Sequence, residues 1–146
     1  MAGTPDAKEL IPRLFEEVVN QGREEAIDEY FDPDFTDHGP GVDLHSREEF
    51  RAVIKAWRSS FTDLRCEVSN VIQEGELAAW LVRTTGVHTG DGLGFPATGK
   101  RIDTLSANIG RIRNGKAVEH WSEQGMLQML QQVGVVPPMA PPQPVG

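Results

Sequence analysis

Apolar residues recur at helical spacing in the first part of the chain. Residues 6–20 carry them at every third or fourth position, which predicts an opening amphipathic helix with Pro12 in an early turn or at a kink. A short second helix is predicted over residues 23–31. Ser46 and Glu49 form a capping box, which predicts the start of a third helix. The apolar stripe of this helix comprises Phe50, Val53, Ile54, Trp57 and Phe61.

After residue 62 the pattern changes to an alternation of apolar and polar residues. The predicted strands cover residues 64–74, 77–88, 101–113 and 117–124. Short turns at residues 74–76 and 114–116 connect neighbouring strands, so the strands are expected to run antiparallel in a meander. Residues 89–100 contain four glycines and are predicted as a loop at the rim of the sheet. A last helix is expected to begin near Gly125 and to end at Gly134.

This order of elements predicts an α+β domain, in which a curved antiparallel sheet is packed with N-terminal helices and a pocket lies between the two. The chain has 146 residues, of which 38% are hydrophobic, and this is enough for one domain with its own core. We assign residues 1–136 to that domain. Residues 137–146 contain five prolines and are predicted to form a flexible tail.

Charge, hydropathy and cysteine content indicate which partners and which compartment to expect. Twenty-two acidic and fourteen basic residues give a formal charge of −8, which disfavours binding to nucleic acid or to an anionic membrane surface. No segment has the length and hydropathy of a membrane span or the apolar region of a signal peptide. The single cysteine, Cys66, is interpreted as a buried small hydrophobe. A cytoplasmic protein is therefore expected.

Strand alternation sorts the side chains of the last three strands onto two faces. One face is apolar, with small and neutral polar groups, and resembles the lining of a ligand pocket. Its candidate site residues are Trp80, His88, Asn108, His120, Ser122 and Gln124. His120 and Asn108 are at its centre, where an imidazole can exchange a proton near neutral pH. The alternative is that His120 is a core histidine with satisfied hydrogen bonds.

The opposite face of these strands is charged, and it also carries an apolar stripe suited to a dimer. The stripe comprises Leu77, Leu81, Leu105, Ile109 and Trp121.

Asp37 and His38 are a second candidate pair. They lie in the segment FTDHGPG, predicted as a short edge strand or loop near the mouth of the pocket, where an acid and a base could act together. An Asx-turn is the alternative for Asp37. Trp57 and Phe61 are candidate substrate contacts, with core packing as the alternative.

The four histidines lack the spacing of metal ligands, and no phosphate-binding loop or nucleophile elbow is present, so no metal or cofactor site is predicted.

Several segments together resemble the SnoaL-like polyketide cyclases, a branch of the nuclear-transport-factor-2-like superfamily. They are FDPDFTDHGPG with SREEFR, GVHTGDGLGFPATGKR, IGRIRNGKAVEHW and LQQVGVVP, and they span most of residues 8–138. The resemblance implies a cone-shaped sheet around a hydrophobic pocket, a homodimer or homotetramer, and a polycyclic, polyketide-like substrate. It also implies intramolecular aldol-type cyclisation without cofactor or metal, in which a carboxylate next to histidines acts as general acid and base.

The chain departs from the family pattern at the expected carboxylate. Cyclising members typically carry Asp directly after His-Trp, and here that position is Ser122; a second Asp is replaced by Gly125, and a partner histidine by Asn108. We therefore predict His120, Asp37 and His38 as catalytic residues. The predicted substrate contacts are Asn108, Ser122, His88, Trp80, Trp57, Phe61 and Gln124. The alternatives are a hydroxylase or other tailoring enzyme of the same family, and a non-catalytic domain that binds a hydrophobic ligand.

Overall fold

The computed structural model describes residues 6–39, 41–140 and 144–145. Residues 141–143 and 146 of the predicted tail, and Pro40 of the segment FTDHGPG, lie outside the described residues. The helices are α1 (Ala7–Phe15), α2 (Glu24–Tyr30), α3 (Arg47–Ser60) and α4 (Met126–Gln132), and a π-helical segment, Glu16–Asn20, continues α1. The strands are β1 (Phe31–Gly39), β2 (Val42–Leu44), β3 (Phe61–Glu74), β4 (Leu77–His88), β5 (Arg101–Arg113) and β6 (Lys116–Glu123). The division into a domain of residues 1–136 and a tail of residues 137–146 stays a prediction.

The strands form one curled, unclosed sheet in the order β2-β1-β6-β5-β4-β3. Strands β3 to β6 are the antiparallel meander that the short turns predicted. Strand β1 was expected to be a short edge strand or loop, but it has nine residues and lies inside the sheet, antiparallel to β2 and parallel to β6. The predicted α+β class is confirmed, with helices packed on a curved sheet.

Side-chain caps define the starts of two helices. The Asp6 carboxylate accepts the backbone N–H of Lys8 at 2.9 Å at the start of α1. The Ser46 hydroxyl accepts the N–H of Glu49 at 3.1 Å at the start of α3, as the capping box predicted. Phe61 was placed on the stripe of this helix, but it is the first residue of β3, because its backbone is extended and pairs with His88.

The core lies between the helices and the concave face of the sheet. Phe35 of β1 is 1% exposed. Its ring centroid lies 4.8 Å from that of Phe31 and 5.0 Å from that of Phe50, both in edge-to-face geometry. A separate cluster at the other end of the sheet comprises Phe61, Ile102, Met129 and Val133. The contact of Phe50 with Phe35 holds helix α3 across β1, the strand that carries Asp37.

The convex face of the sheet retains exposed apolar side chains. Leu77, Leu105 and Ile109 are 39%, 55% and 47% exposed, beside an ion pair between Arg83 and Asp103. A homodimer or homotetramer that uses this face stays a prediction. Among the described residues, no helix combines the length and the apolar character needed to cross a bilayer.

Candidate active site

A cavity lies between the helices and the concave face of the sheet. Its helical wall is apolar and includes Leu14, Val18, Phe50, Ile54 and Trp57. The sheet contributes a row of polar side chains, namely Asp37, Thr84, Thr104, Ser106, Asn108, His120 and Gln124. Arg111 and Glu119 also border the cavity, and they pair with each other at 3.5 Å. A mostly apolar cavity with a few convergent polar groups is typical of a small-molecule site.

Three of the polar side chains form a continuous hydrogen-bonded line. His120 Nδ1 lies 2.9 Å from Asp37 Oδ1, and His120 Nε2 lies 2.9 Å from Asn108 Oδ1. Asp37 and Asn108 are 5% and 6% exposed, so both hydrogen bonds are shielded from water. A carboxyl group joined to an imidazole in this way can take up a proton and release it again.

Neighbouring strands bring the three residues together. β1 and β6 are in parallel register with Asp37 opposite His120, and β6 pairs with β5 so that His120 lies opposite Gly110 and Ser122 opposite Asn108. Sorted strand by strand, His120 and Asn108 belong to the same inner face, but a count carried through the hairpin turn without interruption would pair His120 with Ile109 and place it on the opposite face. A bulge leaves Val118 unpaired between Ala117 and Glu119, and this one extra residue turns His120 towards the cavity.

Trp80 covers one side of the imidazole. Its ring lies nearly parallel to that of His120, with an interplanar angle of 19° and centroids 5.8 Å apart. The indole also passes over Gly110, where an added Cβ would come within 2.8 Å of the ring. Glycine at this position therefore permits the close approach that places Trp80 against His120.

The structure does not bring His38 to the cavity, although it brings Asp37 there. Consecutive side chains of a strand point to opposite faces, so His38 lies on the convex side of β1. Its Nε2 is 2.8 Å from Glu119 Oε2, and its ring stacks on Trp121. The hydrogen bond raises the pKa of His38 above its usual value and holds the pKa of Glu119 below its own.

We expect the His38–Glu119 pair to stabilise the fold most in mildly acidic solution. The contribution of His38 is complete below its unfolded pKa of about 6.5 and is lost as the pH rises through its raised folded value. The contribution of Glu119 is complete above about 4.5 and is lost as the pH falls. His38→Gln should therefore lower the free energy of unfolding more at about pH 5.5 than at about pH 8.5, as measured by urea denaturation.

The exposed His45 offers a matched control for this experiment. His45→Gln is expected to change the unfolding free energy equally at both pH values. If His38→Gln behaved in the same way as His45→Gln, the His38–Glu119 pair would contribute nothing to the pH dependence of the unfolding free energy.

The other predicted site residues fall into two groups. Trp57 and Gln124 line the cavity, as Trp80 does. His88 and Phe61 pack together in the separate apolar cluster at the far end of the sheet, where His88 Nδ1 accepts the backbone N–H of Thr98 at 3.2 Å. The Ser122 hydroxyl accepts the amide N–H of Gln124 at 3.1 Å. Among the described residues, the cavity wall does not include Ser122, His88 or Phe61.

Sequence reasoning did not select Ser106 as a site residue. Its hydroxyl lies in the cavity wall, 3.1 Å from Asn108 Nδ2. The signal was available, because Ser106 shares the inner face of β5 with Asn108 two residues further on.

The fold is of the nuclear-transport-factor-2-like type, with the cavity between its helices and its sheet. The family model for SnoaL-like polyketide cyclases matches residues 9–133, and the chain belongs to this family. The chain is 29% identical over 121 residues to nogalonic acid methyl ester cyclase of Streptomyces nogalater, and the match covers 76% of this chain and 87% of that protein.

Solved structures agree with the family assignment. TsrD from Streptomyces laurentii is 28% identical with a TM-score of 0.80, and the match covers 89% of this chain and 96% of TsrD. IdmH from Streptomyces antibioticus, a proposed polyketide cyclase, is 29% identical with a TM-score of 0.76, and the match covers 89% of this chain and 99% of IdmH.

Proposed function

We propose that this protein catalyses an intramolecular aldol-type cyclisation of a polyketide-like substrate without a cofactor, and that Asp37 and His120 together act as its general acid and base. The observation that supports the proposal most directly is the 2.9 Å hydrogen bond between His120 Nδ1 and Asp37 Oδ1 inside an apolar cavity. The family membership and the similarity to nogalonic acid methyl ester cyclase support the class of reaction.

The proposed reaction moves one proton and forms one carbon–carbon bond. The Asp37 carboxylate, hydrogen-bonded to His120, takes a proton from a carbon next to a substrate carbonyl group. The resulting enolate attacks a second carbonyl carbon of the same molecule. The proton then passes from the carboxyl group to the new alkoxide oxygen, so that the product is an isomer of the substrate.

Asp37 supplies a carboxylate in a chain that lacks one after His-Trp. The Ser122 hydroxyl at that position accepts the amide N–H of Gln124 and, among the described residues, is hydrogen-bonded to neither a carboxylate nor an imidazole. Asp37 reaches the same imidazole from the parallel neighbouring strand. In this proposal His120 orients the carboxyl group and exchanges a proton with it through Nδ1, Asn108 holds the imidazole, and Trp80 and Trp57 contact the substrate. His38 has no part in the proton transfer, because it lies on the other side of the sheet.

The lining of the cavity favours a flat, largely apolar substrate. Aromatic side chains line it on both sides: Phe15, Phe50 and Trp57 on the helical side, and Trp80 on the sheet. Rings of this kind bind polycyclic molecules by stacking and by burial of apolar surface. A polycyclic polyketide ester is therefore the substrate class we propose.

Product mass tests the proposal. The purified protein is incubated with nogalonic acid methyl ester and a panel of other tricyclic polyketide esters, with and without oxygen and a reductant. We expect a product of unchanged mass that forms without oxygen. A product heavier by one oxygen atom would assign the protein to the hydroxylases, and binding without any product between about pH 5 and 9 would identify a ligand-binding domain.

A further inference from the structure

The side-chain amide of Asn108 is held in one orientation by groups on its own strand and on the next. Its Nδ2 donates to the Ser106 hydroxyl at 3.1 Å and lies 3.4 Å from the Ser106 backbone carbonyl. A backbone carbonyl can only accept a hydrogen bond, so the amide nitrogen, rather than the amide oxygen, belongs on this side. The amide oxygen consequently faces His120 Nε2 at 2.9 Å.

The Ser106 hydroxyl reinforces this direction. Ser106 lies opposite Val82 on β4, and its hydroxyl donates to the Val82 backbone carbonyl at 3.4 Å. Since its single proton is used in that hydrogen bond, the hydroxyl oxygen is free to accept the N–H of Asn108. The hydrogen bonds therefore all run in one direction. His120 donates to Asn108, Asn108 donates to Ser106, and Ser106 donates to the carbonyl oxygen of Val82.

This order determines which nitrogen of His120 always carries a proton. An amide oxygen cannot donate, so Nε2 must be the N–H partner of Asn108. The opposite tautomer, with a bare Nε2, would set two acceptors against each other at a buried site, where an unmade hydrogen bond is unfavourable. Exchange of a proton by the imidazole is thus confined to Nδ1, the nitrogen that faces Asp37.

We propose that Ser106 is a positioning residue, which acts through Asn108 to hold His120 with its proton on Nε2 and so directs proton exchange to Nδ1 and the carboxyl group of Asp37. The catalytic consequence rests on the function proposed above. The tautomer itself does not, because it is a property of the protein without substrate.

Nitrogen-15 NMR of the imidazole in the free protein tests the tautomer directly. With ¹⁵N-labelled histidine, and with His120→Gln to assign the signals, we expect Nε2 of His120 to remain protonated whether or not Nδ1 is. A neutral ring with a proton on Nδ1 and a bare Nε2 would overturn the inference, whatever reaction the protein catalyses.

Ser106→Ala tests the role of the hydroxyl. The variant removes the better of the two acceptors of the Asn108 amide, so the amide can turn and the His120 signals should shift towards the tautomer with a bare Nε2. On nogalonic acid methyl ester, or on whichever ester of the panel the wild type converts, kcat should fall about tenfold or more with KM little changed, as part of the 10²–10⁴-fold that general acid–base catalysis typically contributes.

Two further variants complete the design. Ser106→Thr retains the hydroxyl and should restore both the tautomer and kcat. Ser69→Ala removes a hydroxyl from the exposed side of β3 and should leave both unchanged. If Ser106→Ala kept the wild-type His120 signals, Ser106 would have no positioning role; if the signals shifted while kcat stayed constant, the positioning would stand and the proposed use of His120 in catalysis would fail.

Discussion

Asp37→Asn should lower kcat for the proposed cyclisation by about 10²–10⁴-fold, the range that a general acid–base group typically contributes. Asparagine has nearly the same shape and can still accept a hydrogen bond from His120, but it cannot take up a proton from carbon. The measurement is the rate of isomer formation from a polyketide ester that the wild type converts.

Asp34→Asn is the matched control. It makes the same chemical change on the same strand, at a side chain that is exposed to solvent. Its rate should equal that of the wild type. Should Asp37→Asn also retain the wild-type rate while urea denaturation shows an intact fold, another group must transfer the proton and the proposed mechanism is wrong.

Phe35→Ala should lower the free energy of unfolding by about 3–5 kcal/mol, the usual loss when a fully buried aromatic side chain is truncated. Phe35 is 1% exposed, and its ring packs edge-to-face against Phe31 and Phe50. Such a loss is a large part of the 5–15 kcal/mol that typically stabilises a domain. Urea denaturation of the two proteins measures it.

Ile72→Ala is the matched control, because it truncates an apolar side chain that is 67% exposed. We expect it to change the unfolding free energy by no more than about 0.5 kcal/mol. A Phe35→Ala variant that lost as little would show that the aromatic cluster does not hold β1 against α3. Because Asp37 lies two residues beyond Phe35 on the same face, the destabilised variant should also be slower in the proposed cyclisation.

The local elements were predictable because their signals are local. The Ser46 capping box, the apolar stripe of α3 and the turn at residues 114–116 each act over a few residues, and the structure has the corresponding helix and hairpin. The order of helices and strands predicted the cavity between them, and resemblance to known motifs supplied the family.

The position of β1 could not be read in the same way. Its parallel partner β6 is some 80 residues further along the chain, as the separation of 83 residues between Asp37 and His120 shows, and no short turn specifies such a pairing. The segment FTDHGPG therefore predicted an acid and a base near a pocket, but not that alternation on a long strand would send Asp37 into the cavity and His38 to the convex face.

The sequence by itself determined the helices, the antiparallel meander and the presence of Asn108 and His120 on neighbouring strands, since each depends on spacing within one segment or across one short turn. Only the tertiary structure decided that His120 meets Asp37 as well as Asn108. That outcome requires the extra residue at Val118 and the parallel register of β1 with β6. Both are set by packing between segments distant in the chain, where one residue of register moves a side chain from one face of the sheet to the other.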